Sequence, residues 1–214
     1  MREKTDLDIF LVGQSKRVHR SKKRLAKLVR EAYPIGTPAL IMKSSTDRLG
    51  ESAGYSFYLG TPDEMLRLIA SWLITEAGGS QIVLLGLVGD LWKRHGREDV
   101  ALAGLILANI DHYRLGIDPW VILSKCINPS EAAEGILLSV EELYRAGQKP
   151  PKNDLVSSWC EGGTVQAHLA LITIFVYFQR GFSIDDDLKN MLSRVVVPDG
   201  DSLLTRIKHR ISTS

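Results

Sequence analysis

Cysteine is scarce in this 214-residue chain, and the two present, Cys126 and Cys160, stand far apart and outside any C-x-x-C spacing. A disulfide framework and a cysteine-based zinc site are therefore not expected. Two buried, reduced thiols are, and they fit an intracellular setting, cytoplasmic or nuclear. Long apolar runs are missing as well. The longest, residues 169–178, is interrupted only by Thr173 and falls short of the roughly 20 residues a bilayer requires. Arg2, Glu3, Lys4, Asp6 and Asp8 precede any apolar stretch, so no secretory signal is expected. His19, His95, His112, His168 and His209 never fall at i, i+4 with a carboxylate between them, and neither G-x-x-x-x-G-K-[ST] nor G-x-G-x-x-G occurs. No metal and no cofactor is expected. His112 reads as a surface residue and His168 as a satisfied helix residue.

Acid is absent from one whole segment. Residues 16–30 hold Lys16, Arg17, Arg20, Lys22, Lys23, Arg24, Lys27 and Arg30 together with His19, whereas the chain as a whole carries a net charge of only +2. A mildly acidic body thus bears one basic element. Clustered cations suit a polyphosphate, because each neutralised phosphate releases condensed counterions. The same helix is compatible with an anionic membrane surface, a groove on a protein partner, or an ordinary solvated face. Lys16-Arg17 and Lys22-Lys23-Arg24 also have the spacing of a nuclear import signal.

Helical repetition is what the sequence has in quantity. Residues 101–116 and 132–147 agree at six of sixteen positions, 31 residues apart: Ala101/Ala132, Gly104/Gly135, Leu107/Leu138, Tyr113/Tyr144, Arg114/Arg145 and Gly116/Gly147. Such a period marks helical hairpins that bury their apolar faces against neighbours. The expected fold is all-α, a HEAT-like helical-hairpin solenoid over residues 61–214, preceded by a basic helix and an irregular segment over residues 1–60.

The expected elements follow from punctuation. Ser15 caps an amphipathic helix to Tyr33 with the stripe Val18, Leu25, Leu28, Val29 and Ala32. Pro38 starts a helical turn-pair, 44–54 is loop, and Tyr55–Tyr58 is a short extended piece. Thr61-Pro62-Asp63-Glu64 reads as a capping box with proline at the first helical position, opening a helix that Gly78-Gly79 stops. The helix opened by Ser80 is apolar almost all round and should be buried on most sides. The first repeat copy spans about 98–115. Asp118-Pro119 opens a short helix to Cys126, and Asn128-Pro129-Ser130-Glu131 caps the second copy, about 129–146. A degenerate third copy runs from Thr164 to Arg180, and a final pair covers 185–195 and 202–211.

Few residues suggest chemistry. Gly50-Glu51-Ser52-Ala53-Gly54 fits G-x-S-x-G, but a nucleophile elbow needs a buried strand before it and a helix after it, and neither is written here. It reads as a glycine-rich loop. Arg114, Arg145 and Arg180 close the three long repeat helices, where a cation complements the helix terminus. If those helices stack in parallel, they line one edge and reach phosphate. Trp72, Trp92, Trp120 and Trp159 read as packing residues, with Trp120 and Trp159 the two placed for exposure. No catalytic residue is assigned.

Leu91-Trp92-Lys93-Arg94-His95-Gly96-Arg97-Glu98 followed by residues 101–107, and residues 164–188, resemble two helix junctions of the DNA alkylation repair family, the HEAT-like alkylpurine DNA glycosylases. The resemblance implies a helical solenoid that cradles DNA on a basic concave face. The family's tryptophan-aspartate…aspartate motif meets Asn153-Asp154-Leu155-Val156-Ser157-Ser158 here, with asparagine for tryptophan and Ser157 for the second acid. Val165-Gln166 replaces its arginine pair. The expected function is accordingly nucleic-acid binding through backbone contacts from residues 16–30, joined by Arg114 and Arg145. The alternatives are a non-catalytic protein-interaction scaffold, viral or adaptor in character, and a divergent glycosylase whose first carboxylates to test are Asp154 and Glu131.

Overall fold

The computed structural model describes residues 5–37 and 54–213. Over that span the chain forms twelve α-helices and one 3-10 turn, with no strand among the described residues. The Pro38 turn-pair, and all of the G-x-S-x-G loop but Gly54, lie outside the described residues. The chain divides into two compact units, residues 1–119 and 120–214.

The first unit contains α1 (Asp6–Val12), the 3-10 turn (Lys16–Arg20), α2 (Lys22–Ala32), α3 (Asp63–Ala77), α4 (Ile82–Arg94), α5 (Arg97–Asn109) and α6 (His112–Leu115). Its organising element is α5, in which every residue from Glu98 to Ala108 except Ala101 is buried. Helices α3 and α4 pack on α5, α2 packs on α4, and the 3-10 turn and α1 pack on α3. Helix α4 is less enclosed than its composition suggests. Leu84, Leu87, Val88, Leu91 and Trp92 are buried, but Ile82 is 60% exposed.

Three sequence expectations change here. The basic helix is not continuous: Ser21 adopts an extended conformation (φ −148°, ψ 118°), dividing it into a 3-10 turn and an 11-residue α-helix. Ser15 does cap, accepting from the Arg17 amide, but it caps the turn. The Thr61 capping box does not form, because the Thr61 hydroxyl donates instead to the Tyr33 carbonyl (3.1 Å), and Pro62 occupies the N-cap position. The first repeat copy is broken at Ile110 (ψ 160°), after which the Asp111 carboxylate caps a separate short helix at the Arg114 amide (2.9 Å).

Residues 54–61 form a strap over the α4–α5 junction. His95, in the left-handed region at φ 60°, ends α4 just before Gly96. Ser56 N–H donates to the His95 carbonyl (2.8 Å) and Arg97 N–H to the Phe57 carbonyl (2.9 Å). Residues 55–58 form neither helix nor strand, with a bend at Ser56, and the two bonds fasten the strap to the 95–97 turn. A Cβ on Gly96 would stand 2.1 Å from the Phe57 ring, so glycine is required for this close approach.

The second unit is built on α10 (Thr164–Gln179), buried along most of its length. Around it lie α7 (Pro119–Cys126), α8 (Ala133–Arg145), α9 (Asn153–Cys160), α11 (Asp186–Ser193) and α12 (Ser202–Ser212). Helices α8, α9, α11 and α12 all contact α10. The second repeat copy is one continuous helix here, unlike the first, and it begins later than expected. Asn128 spends its side chain on a local turn, accepting from the Ser130 amide and hydroxyl (2.8 Å each), and α8 starts at Ala133 with no side-chain cap. Trp120 and Trp159 are buried rather than exposed, and the Trp120 indole donates to the Lys149 carbonyl (2.7 Å).

Candidate nucleic-acid interface

The basic segment owes its placement to its few apolar residues. In α2, Leu25, Leu28, Val29 and Ala32 recur at helical spacing and are buried against the first unit. Lys23, Lys27 and Arg30, at i, i+4, i+7, therefore occupy the opposite side of the helix. Lys16, Arg17, Arg20, Lys22, Lys23, Arg24, Lys27 and Arg30 are all exposed. Two of the eight are engaged. Lys22 bonds Asp90 on α4 at 2.8 Å, and Lys27 stands 3.8 Å from Glu31 on its own helix. The other six form no ion pair with a described residue.

The first turn of α2 is electrostatically unusual. It holds Lys22, Lys23 and Arg24, contains no acid, and Ser21 supplies no side-chain cap. Cations at the positive end of a helix oppose the macrodipole, each by about 0.3–1 kcal/mol. An anion at that end would relieve the conflict and meet the free backbone N–H groups.

The other two arginines assigned from the sequence are placed differently. Arg114 is exposed, and its guanidinium lies beside Gly79 in the α3–α4 turn of the first unit. Arg145, in the second unit, pairs with Glu142 one turn back on α8. Arg180 bonds Glu141 at 3.1 Å and lies 5.5 Å over the Tyr144 ring. Local carboxylates thus hold Arg145 and Arg180.

The best-formed charged constellation was not singled out in the sequence at all. Asp99 is wholly buried, with Arg94 bidentate to it and the Tyr33 hydroxyl donating at 2.8 Å. Burial, followed by the Asp99 charge, pushes the Tyr33 phenol well above its ordinary range. Arg94 also donates to the Ala26 carbonyl, which ties α4 to α2 beneath the cationic face (3.1 Å). Glu98, equally buried, accepts from the backbone N–H groups of Leu59 and Gly60 (2.9 Å each) and Thr61 (3.3 Å). Its pKa is raised, because burial outweighs those bonds and the nearby Arg97 charge. In sequence, Glu98-Asp99 after Gly96 looks like an ordinary acidic first turn. The signal available was that two acids opened a helix whose next ten residues, Val100–Asn109, are apolar but for Asn109.

The remaining sequence candidates are dispersed. Asp154 is exposed in the first turn of α9, and Glu131 is buried beside Asn128, which donates to it at 3.3 Å. His168 is buried and bonded to the Val196 carbonyl (3.1 Å), as expected, whereas His112 is half-buried and bonded to the Leu107 carbonyl. Burial pushes the Cys126 thiol up to about 11 and raises that of Cys160. An open cleft of about 590 Å³ in the second unit lies between Cys160–Ala167 and α11, with Glu161, Thr164, Asp187 and Arg194 on its walls. No group of three or more metal-ligating side chains occurs among the described residues. None of the described helices is long and apolar enough to cross a membrane.

No protein-family model, no curated protein and no solved structure matches this chain.

Proposed function

We propose that this chain binds nucleic acid through the phosphate backbone, using the solvent side of the 3-10 turn and α2, with HEAT-like helical hairpins as the scaffold. One observation carries the reading: six exposed cations in a fifteen-residue stretch make no ion pair with a described residue, although the chain has 25 acidic residues to offer. A face evolved merely for solubility mixes both signs. In this reading the lysines and arginines of residues 16–30 contact the phosphate backbone, which positions a nucleic acid without reading its sequence. Arg114, in the same unit, is the further residue available to phosphate. Arg145 would first have to leave Glu142.

Phosphate contact is preferred to membrane insertion on a specific ground. An interfacial helix needs a free apolar face, and the apolar face of α2 is already buried. Excision chemistry is not part of the proposal: Asp154 is exposed on α9, and the buried Glu131 is engaged by Asn128.

Titration of labelled duplex DNA and of single-stranded RNA across a salt series tests the proposal. The logarithm of the binding constant is expected to fall linearly with the logarithm of salt, with a slope of several units on duplex DNA. Absence of binding at low salt, on both polymers, contradicts it.

A further inference from the structure

His19 sits in the middle of the cationic segment, yet it is the buried residue of the 3-10 turn, only 6% exposed. Among the described residues neither ring nitrogen has a hydrogen-bond partner. The ring packs against Trp72 on α3, ring centroid to ring centroid 4.8 Å at 51°. Polar atoms buried in this way are uncommon in native proteins and mark places where an equilibrium is poised. A leucine or phenylalanine would fill the same space at no polar cost.

We propose that the His19–Trp72 contact is a proton-operated seat for the 3-10 turn: the neutral ring holds the turn against α3, and protonation releases it. The physical case rests on the burial of the ring and its two unpartnered nitrogens. The cations of the same segment, Lys16, Arg17 and Arg20 on the turn and Lys22, Lys23 and Arg24 in the first turn of α2, have exposed side chains. Glu76 on α3 favours a positive charge on the ring, but it is exposed to solvent and its field is screened. Desolvation prevails, so the ring pKa lies below the ordinary 6.5. An imidazolium with no acceptor cannot remain in place, whereas outside the pocket it is hydrated. The sign follows. Seating contributes stability that is fully present above pH 6.5 and is lost as pH falls through the folded-state value.

The seat goes beyond the phosphate-binding reading and is tested without nucleic acid, so a blank binding titration leaves it standing. The experiment compares the full chain with His19→Phe, which keeps an aromatic ring on Trp72 and cannot titrate. Two readouts are followed from pH 7.5 to 5. One is tryptophan emission, since an imidazolium quenches a neighbouring indole. The other is exchange of the Val18 and Ser21 amides, which are bonded to the Ser15 and Val18 carbonyls at 3.0 and 3.2 Å. The wild-type chain is expected to change emission with a midpoint below 6.5 and to lose tenfold or more of its protection at both amides over the same range. His19→Phe should hold both constant. Protection unchanged while the His19 ring titrates, or the same pH response in His19→Phe, overturns the proposal. If His19→Phe fails to fold, wild-type ring titration by NMR decides alone: a midpoint at or above 6.5 overturns it.

Discussion

The Arg94 guanidinium grips both carboxylate oxygens of Asp99 from the far side of the left-handed turn at His95. The turn reverses the chain between α4 and α5, and the ion pair locks that reversal from within. Because Asp99 is wholly buried and also accepts from Tyr33, its charge has no solvent to return to.

Breaking this pair from either side should therefore be severe. Asp99→Ala strands the guanidinium and the phenol, and Arg94→Ala strands the carboxylate. Each is expected to cost about 3–5 kcal/mol of unfolding free energy, as removal of one partner of a buried pair generally does. Urea unfolding of the two variants measures it, and a loss under about 1 kcal/mol would show the pair to be incidental.

Glu98 gives a pH dependence of definite sign. Its folded-state pKa lies above the ordinary 4.5, so the folded chain binds this proton more readily than the unfolded chain does. The contribution of Glu98 to stability is thus fully present below pH 4.5 and declines as pH rises through the raised value. The Glu98→Gln variant keeps an acceptor for the strap amides and carries no charge. Its stability relative to wild type should improve on going from pH 4 to pH 7, as read by urea unfolding across that range. A relative stability that worsens with pH would mean that the three backbone donors outweigh burial.

The strap offers a steric test. A Cβ at Gly96 meets the Phe57 ring at 2.1 Å, so Gly96→Ala must displace it and should cost about 1–3 kcal/mol. In a Phe57→Ala background the clash is absent, and the same substitution should cost less than half as much. A double-mutant cycle reports the difference as coupling, and strict additivity would rule the contact out.

Cysteine reactivity follows from burial. With its thiol raised to about 11, Cys126 presents little thiolate at pH 8. Alkylation by iodoacetamide in the native protein should run on the order of a hundredfold slower than for a free cysteine, and denaturation should restore it. Both cysteines are half-buried and not fully enclosed as the sequence suggested, so rapid native labelling at Cys126 would contradict the raised thiol.

How much of this was legible beforehand can be argued from particular residues. Helices were readable because apolar spacing and glycine or proline punctuation are local: α10, α11 and α12 start and stop within a residue or two of where Thr164, Asp185 and Pro198-Asp199-Gly200 place them. Caps were less readable, since a capping side chain has rivals. Thr61 bonds Tyr33, 28 residues away, and nothing near Thr61 announces it. The near-identity of residues 101–116 and 132–147 concealed a break at Ile110, because Asp111 can cap a new helix where Glu142 continues one. The cationic segment was plain from composition, and so was its apolar stripe. The Ser21 break and the burial of His19 were not, and the latter depends on packing against Trp72 on a helix some fifty residues later.

In the proposed interface Lys23, Lys27 and Arg30, on the outer side of α2, meet phosphate. The most direct measurement is the salt dependence of duplex DNA binding by the wild-type chain and by the triple variant Lys23→Gln, Lys27→Gln, Arg30→Gln. All three side chains are exposed and none is part of the core, so unfolding free energy should stay within about 0.5 kcal/mol. The log–log slope should fall in magnitude by about three, one for each lost phosphate contact. A slope unchanged in a variant of wild-type stability would contradict the claim.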